Sequence, residues 1–391
     1  MVLLWLAFWI NYVDRQAVFS IYPVLKRDLF LSDPQLGLAG TVFIWTYSLC
    51  MPLTGRLADL FRRDRIVVAS IVLWSLATLG TGLSHSALPF LLWRGCVGLT
   101  ESLYVPAALG LIASLHPAAT RSRALAAHST AQYAGILGGG WYGGWMADHL
   151  GWRWGFATLT VAGIAYALFL SKVLRGPAPE PADRHPVRRA RPLEVFESRC
   201  YIAMCLTFFM FCLMLWMLYA WLPAFLYERF HLSMSESGLV GTLYLQASSV
   251  AGVACGGVLG DRAVKVVRGA RFYATAAGAI LSAPFAYLVF SSGSLQSLKL
   301  AACAFGLTGG LLMSNQFAAS YDVTRERNYG FSAGALNMVG GLAGGAGILA
   351  AGLWKSSLGI ANLMFWSAVA AVLSGCVLLW VTAVFFQRER H

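Results

Sequence analysis

Twelve apolar stretches, six on each side of one polar break, constrain this chain more than any other feature. They run over 2–25, 36–58, 65–83, 87–114, 123–147 and 152–173, and then over 199–227, 236–259, 270–290, 297–319, 330–354 and 360–386. At 1.5 Å per residue, each is long enough for a helix to cross a hydrocarbon layer about 30 Å thick. Helices are the spanning solution for such segments, because lipid offers the backbone no hydrogen-bond partners. Composition points the same way. Hydrophobic residues make up 58% and charged residues 12%, where a soluble protein carries about 25% charged residues. This composition excludes a soluble enzyme, a disordered chain and a nucleic-acid binder. It predicts an all-α membrane protein with twelve transmembrane helices in two six-helix bundles, 1–173 and 199–391. Between them, 174–198 holds Gly176, five prolines and a run of arginines, and reads as a cytoplasmic linker.

The net charge of +12 comes from 29 basic and 17 acidic residues, and location explains it. With both termini in the cytoplasm, 21 of the 29 Lys and Arg fall in inner loops, the linker or the tail, and about six in outer loops. That bias predicts a multi-pass protein of the cell (inner) membrane. No cleavable signal is expected, since the first stretch contains Asp14 and Arg15 and lacks a small-residue cleavage site. The eight cysteines show no CxxC spacing and sit in apolar runs, so they read as small buried hydrophobes.

A short turn recurs in each half. Gly55-Arg-Leu57-Ala-Asp59 follows the second stretch, and Gly257-Val-Leu259-Gly-Asp261-Arg262 follows the eighth. Two parallel six-helix repeats are a known transporter plan. Gly55, Asp59, Arg63, Asp261 and Arg262 are the expected gating residues, with Asp59 placed to cap a neighbouring helix or pair with an arginine.

Ionisable side chains at membrane depth cost several kcal/mol, so each needs a reason. Asp14 lies about 18 Å into the first helix, followed by Arg15. Arg94 and Glu101 are seven residues apart on the fourth helix and share a face. Two carboxylates and two guanidiniums can therefore meet in one interior cavity. Asp14 and Glu101 are the proton-coupling candidates, and Arg15 and Arg94 are expected to attract an anion. The other reading is a set of salt bridges that only holds helices together, although desolvation makes such pairs weak stabilisers.

The second half offers neutral groups at membrane depth: Gln246, Asn315, Gln316, Asn337 and Asn362. Each reads first as interhelical glue, with Asn337 the best ligand candidate among them. Gln132 on the fifth helix, Tyr47 on the second and Tyr104 on the fourth are further candidate substrate contacts, while His128 reads as a packed residue. Glycines at 135, 138–140, 143 and 144, and at 340, 341, 344, 345 and 347, form faces that let helices approach closely. Trp152-Arg153-Trp154 reads as an outer interface anchor. There is no zinc-type His cluster, acyltransferase-type HxxxxD pair or nucleophile elbow, so neither an enzyme nor a cofactor or metal is expected.

These residues resemble the major facilitator superfamily over almost the whole chain. Gly55-Arg-Leu-Ala-Asp59 resembles the signature between its helices 2 and 3, with Arg62 where a glycine is usual and Asp64 where a basic residue is usual. Arg94-Gly-Cys-Val-Gly98 resembles the helix 4 signature, and Gly151-Trp-Arg-Trp154 the start of helix 6. Asn11-Tyr-Val-Asp14-Arg15 with Arg94, Gly98 and Glu101 resembles two groups: the anion:cation symporters of organic and sugar acids, and the Spinster-like lysolipid transporters. The resemblance implies coupling at Asp14 and Glu101, and a substrate-facing glutamine at Gln132. The expected function is proton-coupled symport of a small organic anion by alternating access, with a lysophospholipid or sphingolipid as the alternative cargo. The expected partners are that substrate, protons and the bilayer, with no nucleic acid and a monomeric state.

Overall fold

A computed structural model describes residues 1–175 and 192–389, without the side chains of Ala118, Ala119, Ser122 and Pro192. Most of the expected linker, 176–191, lies outside the described residues. Every regular element among the described residues is helical. The helices are α1 (Val2–Ser20), α2 (Tyr22–Asp28), α3 (Asp33–Leu60), α4 (Arg63–Gly82), α5 (Ala87–Ser102), α6 (Tyr104–Leu115), α7 (Ala118–His149) and α8 (Trp152–Val173). After a 3-10 helix at Pro192–Glu197 come α9 (Arg199–Phe230), α10 (Met234–Ala263), α11 (Ala270–Ser291), α12 (Leu295–Asp322), α13 (Tyr329–Leu358) and α14 (Ile360–Glu389). Taken with α1–α2 and α5–α6 as one span each, they reproduce the twelve expected stretches.

Two spans are broken for reasons visible in the sequence. Proline has no N–H to give the carbonyl four residues back, and its ring clashes with it. Pro106 therefore frees the carbonyl of Ser102, where α5 stops. Thr54 Oγ1 on α3 donates to that carbonyl at 2.9 Å, so it is not orphaned. Pro23 acts likewise at the α1–α2 break, where Ile21 N reaches back to Val18 O instead. Among the described residues, ten spans are apolar enough, by length and composition, to cross a membrane. Those of α1 and α7 fall short because they carry the polar residues, Asn11, Asp14, Arg15 and Gln16 on α1 among them.

The chain divides into two compact units: Met1–Asp183 with Tyr219–Thr242, and Arg184–Leu218 with Leu243–His391. In the first, α1 lies against α7 through Gly135, Gly139 and Gly143. A Cβ on Gly139 would meet Val13 O at 2.5 Å, and one on Gly143 would meet Ala17 O at 2.6 Å. Within the same unit, Asp148 at the end of α7 accepts from Met234 N, Ser235 N and Ser235 Oγ at the start of α10. Gly151 turns the chain from α7 into α8 at φ +90°, a conformation that favours glycine.

In the second unit Phe211 stacks on Phe305, and Asn315 ties α12 to α10 by donating to Gly256 O at 3.0 Å. Glu389 closes the start of α9, accepting from Ser198 Oγ, Arg199 N and Cys200 N.

Two expectations need correcting. Cys200 and Cys212 are buried, but Cys96, Cys255 and Cys376 are exposed. An apolar run in a membrane helix has outward faces that are apolar too, so it does not specify burial. Trp152 is no surface anchor either. It is 3% exposed and donates to Asp28 Oδ2 at 3.0 Å, while Trp154 is 65% exposed.

Candidate functional site

The charged cluster forms inside the first unit, from one side of α1 and the facing sides of α3, α4 and α5. Asp14 and Arg15 lie where α1 is most enclosed, and both are buried. Arg94 and Glu101, seven residues apart on α5, are buried together, as their spacing requires.

The four charges are not equivalent. Arg15 Nε donates to Glu101 Oε2 at 2.6 Å, and the side chains are 6% and 0% exposed. The pair is joined by one arm only, since Arg15 Nη2 and Glu101 Oε1 have no hydrogen-bond partner. Three rings enclose the Arg15 guanidinium, with centroids at 4.2 Å (Tyr47), 4.7 Å (Tyr12) and 5.2 Å (Phe43). Asp14 accepts a hydrogen bond on Oδ2 from Thr78 Oγ1 of α4, while its Oδ1 is unpartnered.

Arg94 differs from Arg15. Its guanidinium lies 4.5 Å from the Phe43 centroid, and its Nε and Nη2 have no hydrogen-bond partner. Those two nitrogens form one edge of the fork, the edge that takes an oxyanion bidentately. A buried cation with an open edge is costly unless something anionic completes it. Asn11, one turn before Arg15, is also buried with both amide atoms unpartnered.

The remaining candidates are distributed more widely. Tyr104 lies in the hydrophobic core with Leu4, Phe8 and Trp74, and its hydroxyl donates to Leu4 O at 2.6 Å. His128 stacks on Phe8 at 4.4 Å and lies 3.2 Å from the Tyr104 hydroxyl, a packed position. Gln132 is half-buried on α7. Asn337 is exposed in the second unit and donates to Ala333 O of its own helix.

The two segments expected as turns are helical, Gly55–Asp59 within the end of α3 and Gly257–Arg262 within the end of α10. There Asp59 pairs with Arg63 at 3.5 Å, and Arg63 also donates to Ala58 O and Gly110 O. Gly55 has open space around it. Asp261 pairs with Arg271 at 3.3 Å, not with the adjacent Arg262, and Arg271 also reaches Asp322. Sequence reasoning missed Thr78, Tyr12 and Asn11 as members of the cluster. Thr78 is a neutral residue in an apolar run and carries no signal, whereas Asn11 and Tyr12 sit in the Asn-Tyr-Val-Asp-Arg motif itself. No group of three or more His, Cys, Asp or Glu among the described residues could hold a metal ion.

Comparison with known proteins gives one consistent picture. The family model described as Major Facilitator Superfamily matches residues 4–348 and 204–391. The human protein spinster homolog 1 is 34% identical over 180 residues, covering 45% of this chain and 34% of its own length. This chain thus spans about a third of the spinster homologue it matches. A probable sulfoacetate transporter of Cupriavidus necator is 27% identical over 79% of this chain and 77% of its own. A probable galactarate/D-glucarate transporter of Bacillus subtilis is 25% identical over 95% and 89%. Among solved structures, a bacterial homologue of the human lysosomal transporter Spinster superposes with a TM-score of 0.87. It covers 100% of this chain and 97% of its own at 19% identity, so it speaks for the fold alone.

Proposed function

Because this chain belongs to the major facilitator superfamily and is therefore a multi-pass membrane transporter, we propose that it carries a small organic anion together with protons. The observation that carries this reading is the buried, open edge of Arg94 beside an Arg15 already held by Glu101. One guanidinium is ready for an anion, and the other is released only when its carboxylate gives it up.

The steps follow from the charges. A proton on Glu101 removes the negative charge that holds Arg15. Arg15 can then turn its fork to a substrate oxygen while Arg94 holds the anionic group. Tyr47, whose ring lies over Arg15, lines the same place, and Gln132 is the proposed contact for the polar body of the substrate. Asp14, with Oδ1 unpartnered, is the second proton site. Departure of the anion restores the Arg15–Glu101 pair and expels the proton, which links the two fluxes. Gly55, Asp59 and Arg63 at the α3–α4 junction, and Asp261 and Arg262 at the end of α10, are the proposed gating residues. The basic loops orient the protein in the inner membrane with both termini cytoplasmic. No cofactor or metal takes part in this scheme.

The relatives named for sulfoacetate and for galactarate and glucarate support an organic acid as cargo. A lysolipid is the second reading, favoured by the local identity to the spinster homologue. Its phosphate would use the same guanidinium. Uptake into proteoliposomes tests the proposal. Sulfoacetate or glucarate uptake should rise when the outside is acidified, and Glu101→Gln should abolish that rise. Uptake of neither acid, with or without a pH gradient, would sink the organic-anion reading.

A further inference from the structure

The connection from α3 to α4 carries a groove that the transport reading does not use. Phe61 follows α3 and Arg62 precedes α4, both in extended backbone, so two residues join the helices. There Leu60, Phe61, Arg62, Arg65, Ile66 and Ala69 line an open groove of about 400 Å³. Arg62, Arg65, Ile66 and Ala69 are three or four residues apart, so they share one face of α4. That face continues through Leu73 and Leu76, both exposed. From Arg65 to Leu76 the helix rises about 16 Å, close to half of a hydrocarbon layer about 30 Å thick. The stripe is therefore basic at one end and apolar along the rest. Arg62 forks onto Asp64, Nε to Oδ1 at 3.2 Å and Nη2 to Oδ2 at 2.8 Å, and the Asp64 side chain is 6% exposed. Arg63 is engaged elsewhere, with Asp59, Ala58 O and Gly110 O. The Arg65 side chain is exposed and makes no hydrogen bond or ion pair among the described residues. Asp64 thus cancels one guanidinium, and Arg65 leaves the groove with a net positive charge.

We infer that this groove holds an anionic phospholipid of the inner leaflet. The lipid phosphate sits at Arg65 with Arg62 beside it, and one acyl chain runs along Ile66, Ala69, Leu73 and Leu76. Leu60 and Phe61, both exposed, flank the upper part of that chain. Charge complementarity argues for this occupant, because the cytoplasmic leaflet carries the anionic lipids and attracts basic side chains at its surface. An apolar stripe alone accepts any lipid. The net charge at its basic end is what selects the headgroup. The inference goes beyond the transport reading and takes from it only the orientation that puts the α3–α4 connection on the cytoplasmic side.

Thermal-shift titration of the purified protein in detergent tests it, with phosphatidylglycerol and phosphatidylcholine as probes. A ligand that binds only the folded state stabilises it, so phosphatidylglycerol should raise the melting temperature at lower concentration than phosphatidylcholine. Arg65→Gln should weaken phosphatidylglycerol about fivefold, the loss of one basic side chain at the membrane surface, and change phosphatidylcholine less than about twofold. Ala69→Phe, which fills the groove and keeps its charge, should weaken phosphatidylglycerol as well. Arg65 and Ala69 are exposed, so the lipid-free melting temperatures of both variants should stay level. Arg388→Gln, at the exposed end of α14, controls for charge that is not localised and should change neither probe. Equal weakening of phosphatidylglycerol by Arg65→Gln and Arg388→Gln would overturn the site. So would no effect of Ala69→Phe, or equal affinity of wild type for the two lipids. If glycerol 3-phosphate, the headgroup phosphate without chains, shifts wild type at the same concentrations, the lipid assignment is overturned in favour of a free phosphate. None of these outcomes touches uptake of an organic anion, so the transport reading stands or falls separately.

Discussion

Glu101 accepts one hydrogen bond from Arg15 where two forks could share two, and that single bond sets what substitutions should do. Breaking a buried pair from one side leaves an uncompensated charge, at about 3–5 kcal/mol, whereas replacing both partners with apolar residues is often neutral or stabilising. Glu101→Ala should therefore lower the melting temperature of the detergent-solubilised protein sharply. The double change Arg15→Met with Glu101→Met should recover most of that loss and still transport nothing. Recovery of uptake along with stability would mean that the pair only holds helices. Thr78 offers a smaller test. Its hydroxyl is the one donor to Asp14 among the described residues. Thr78→Val, nearly equal in shape, should cost about 1–3 kcal/mol, and a silent variant would show that Asp14 does not need this donor. The four charges were legible from sequence because nothing apolar explains them at that depth. Their division of labour was not, since which arginine keeps its carboxylate depends on distances of an ångström or two that helical spacing does not determine.

At the scale of elements, the glycines separate into two kinds that look alike in sequence. Gly139 sits where α1 and α7 touch backbone to backbone, with Val13 O 2.5 Å from where a Cβ would stand. Gly257, in the interior of α10, has nothing within 4 Å of that position. Gly139→Ala must push two helices apart and should cost about 1–3 kcal/mol. Gly257→Ala meets no neighbour and should stabilise by about 0.5–1 kcal/mol, since alanine is the better helix former. Melting temperatures of opposite sign check the contrast, and a drop for both would place a contact on Gly257 that the fold does not show. Helix positions themselves were readable from apolar runs, because lipid forces any spanning segment to be helical. The breaks at Ile21 and Leu103 were not placed in advance, although Pro23 and Pro106 cause them. A proline in a membrane helix is tolerated whenever a neighbour satisfies the freed carbonyl. Thr54 does so for Ser102, whereas Pro52, Pro223 and Pro284 leave their helices unbroken.

For the whole molecule, the basic excess that sequence assigns to topology also holds parts of the fold together. Arg325 and Arg327, in the turn between α12 and α13, both bind Glu194 in the 3-10 helix that precedes α9, and Asn328 donates to it as well. This clasp fastens the stretch leading into α9 to the turn between α12 and α13. Separations of more than 130 residues hid it from any pattern along the chain. The hydrogen bond from Arg327, with the nearby charge of Arg325, holds the Glu194 carboxyl below its ordinary value of about 4.5. The folded state thus binds this proton more weakly than the unfolded state does. The clasp's contribution is complete above about pH 4.5 and is lost as pH falls through the lower, folded-state value. Wild type should therefore lose melting temperature on acidification below about pH 4.5 more steeply than Glu194→Gln, which carries no titrating group there. The two should differ most near neutral pH, where wild type is the more stable, and converge in acid. Because the clasp lies at the aqueous end of the helices, 1 M salt should shrink the difference at neutral pH. Parallel acid profiles for the two proteins would show that the clasp contributes nothing to stability.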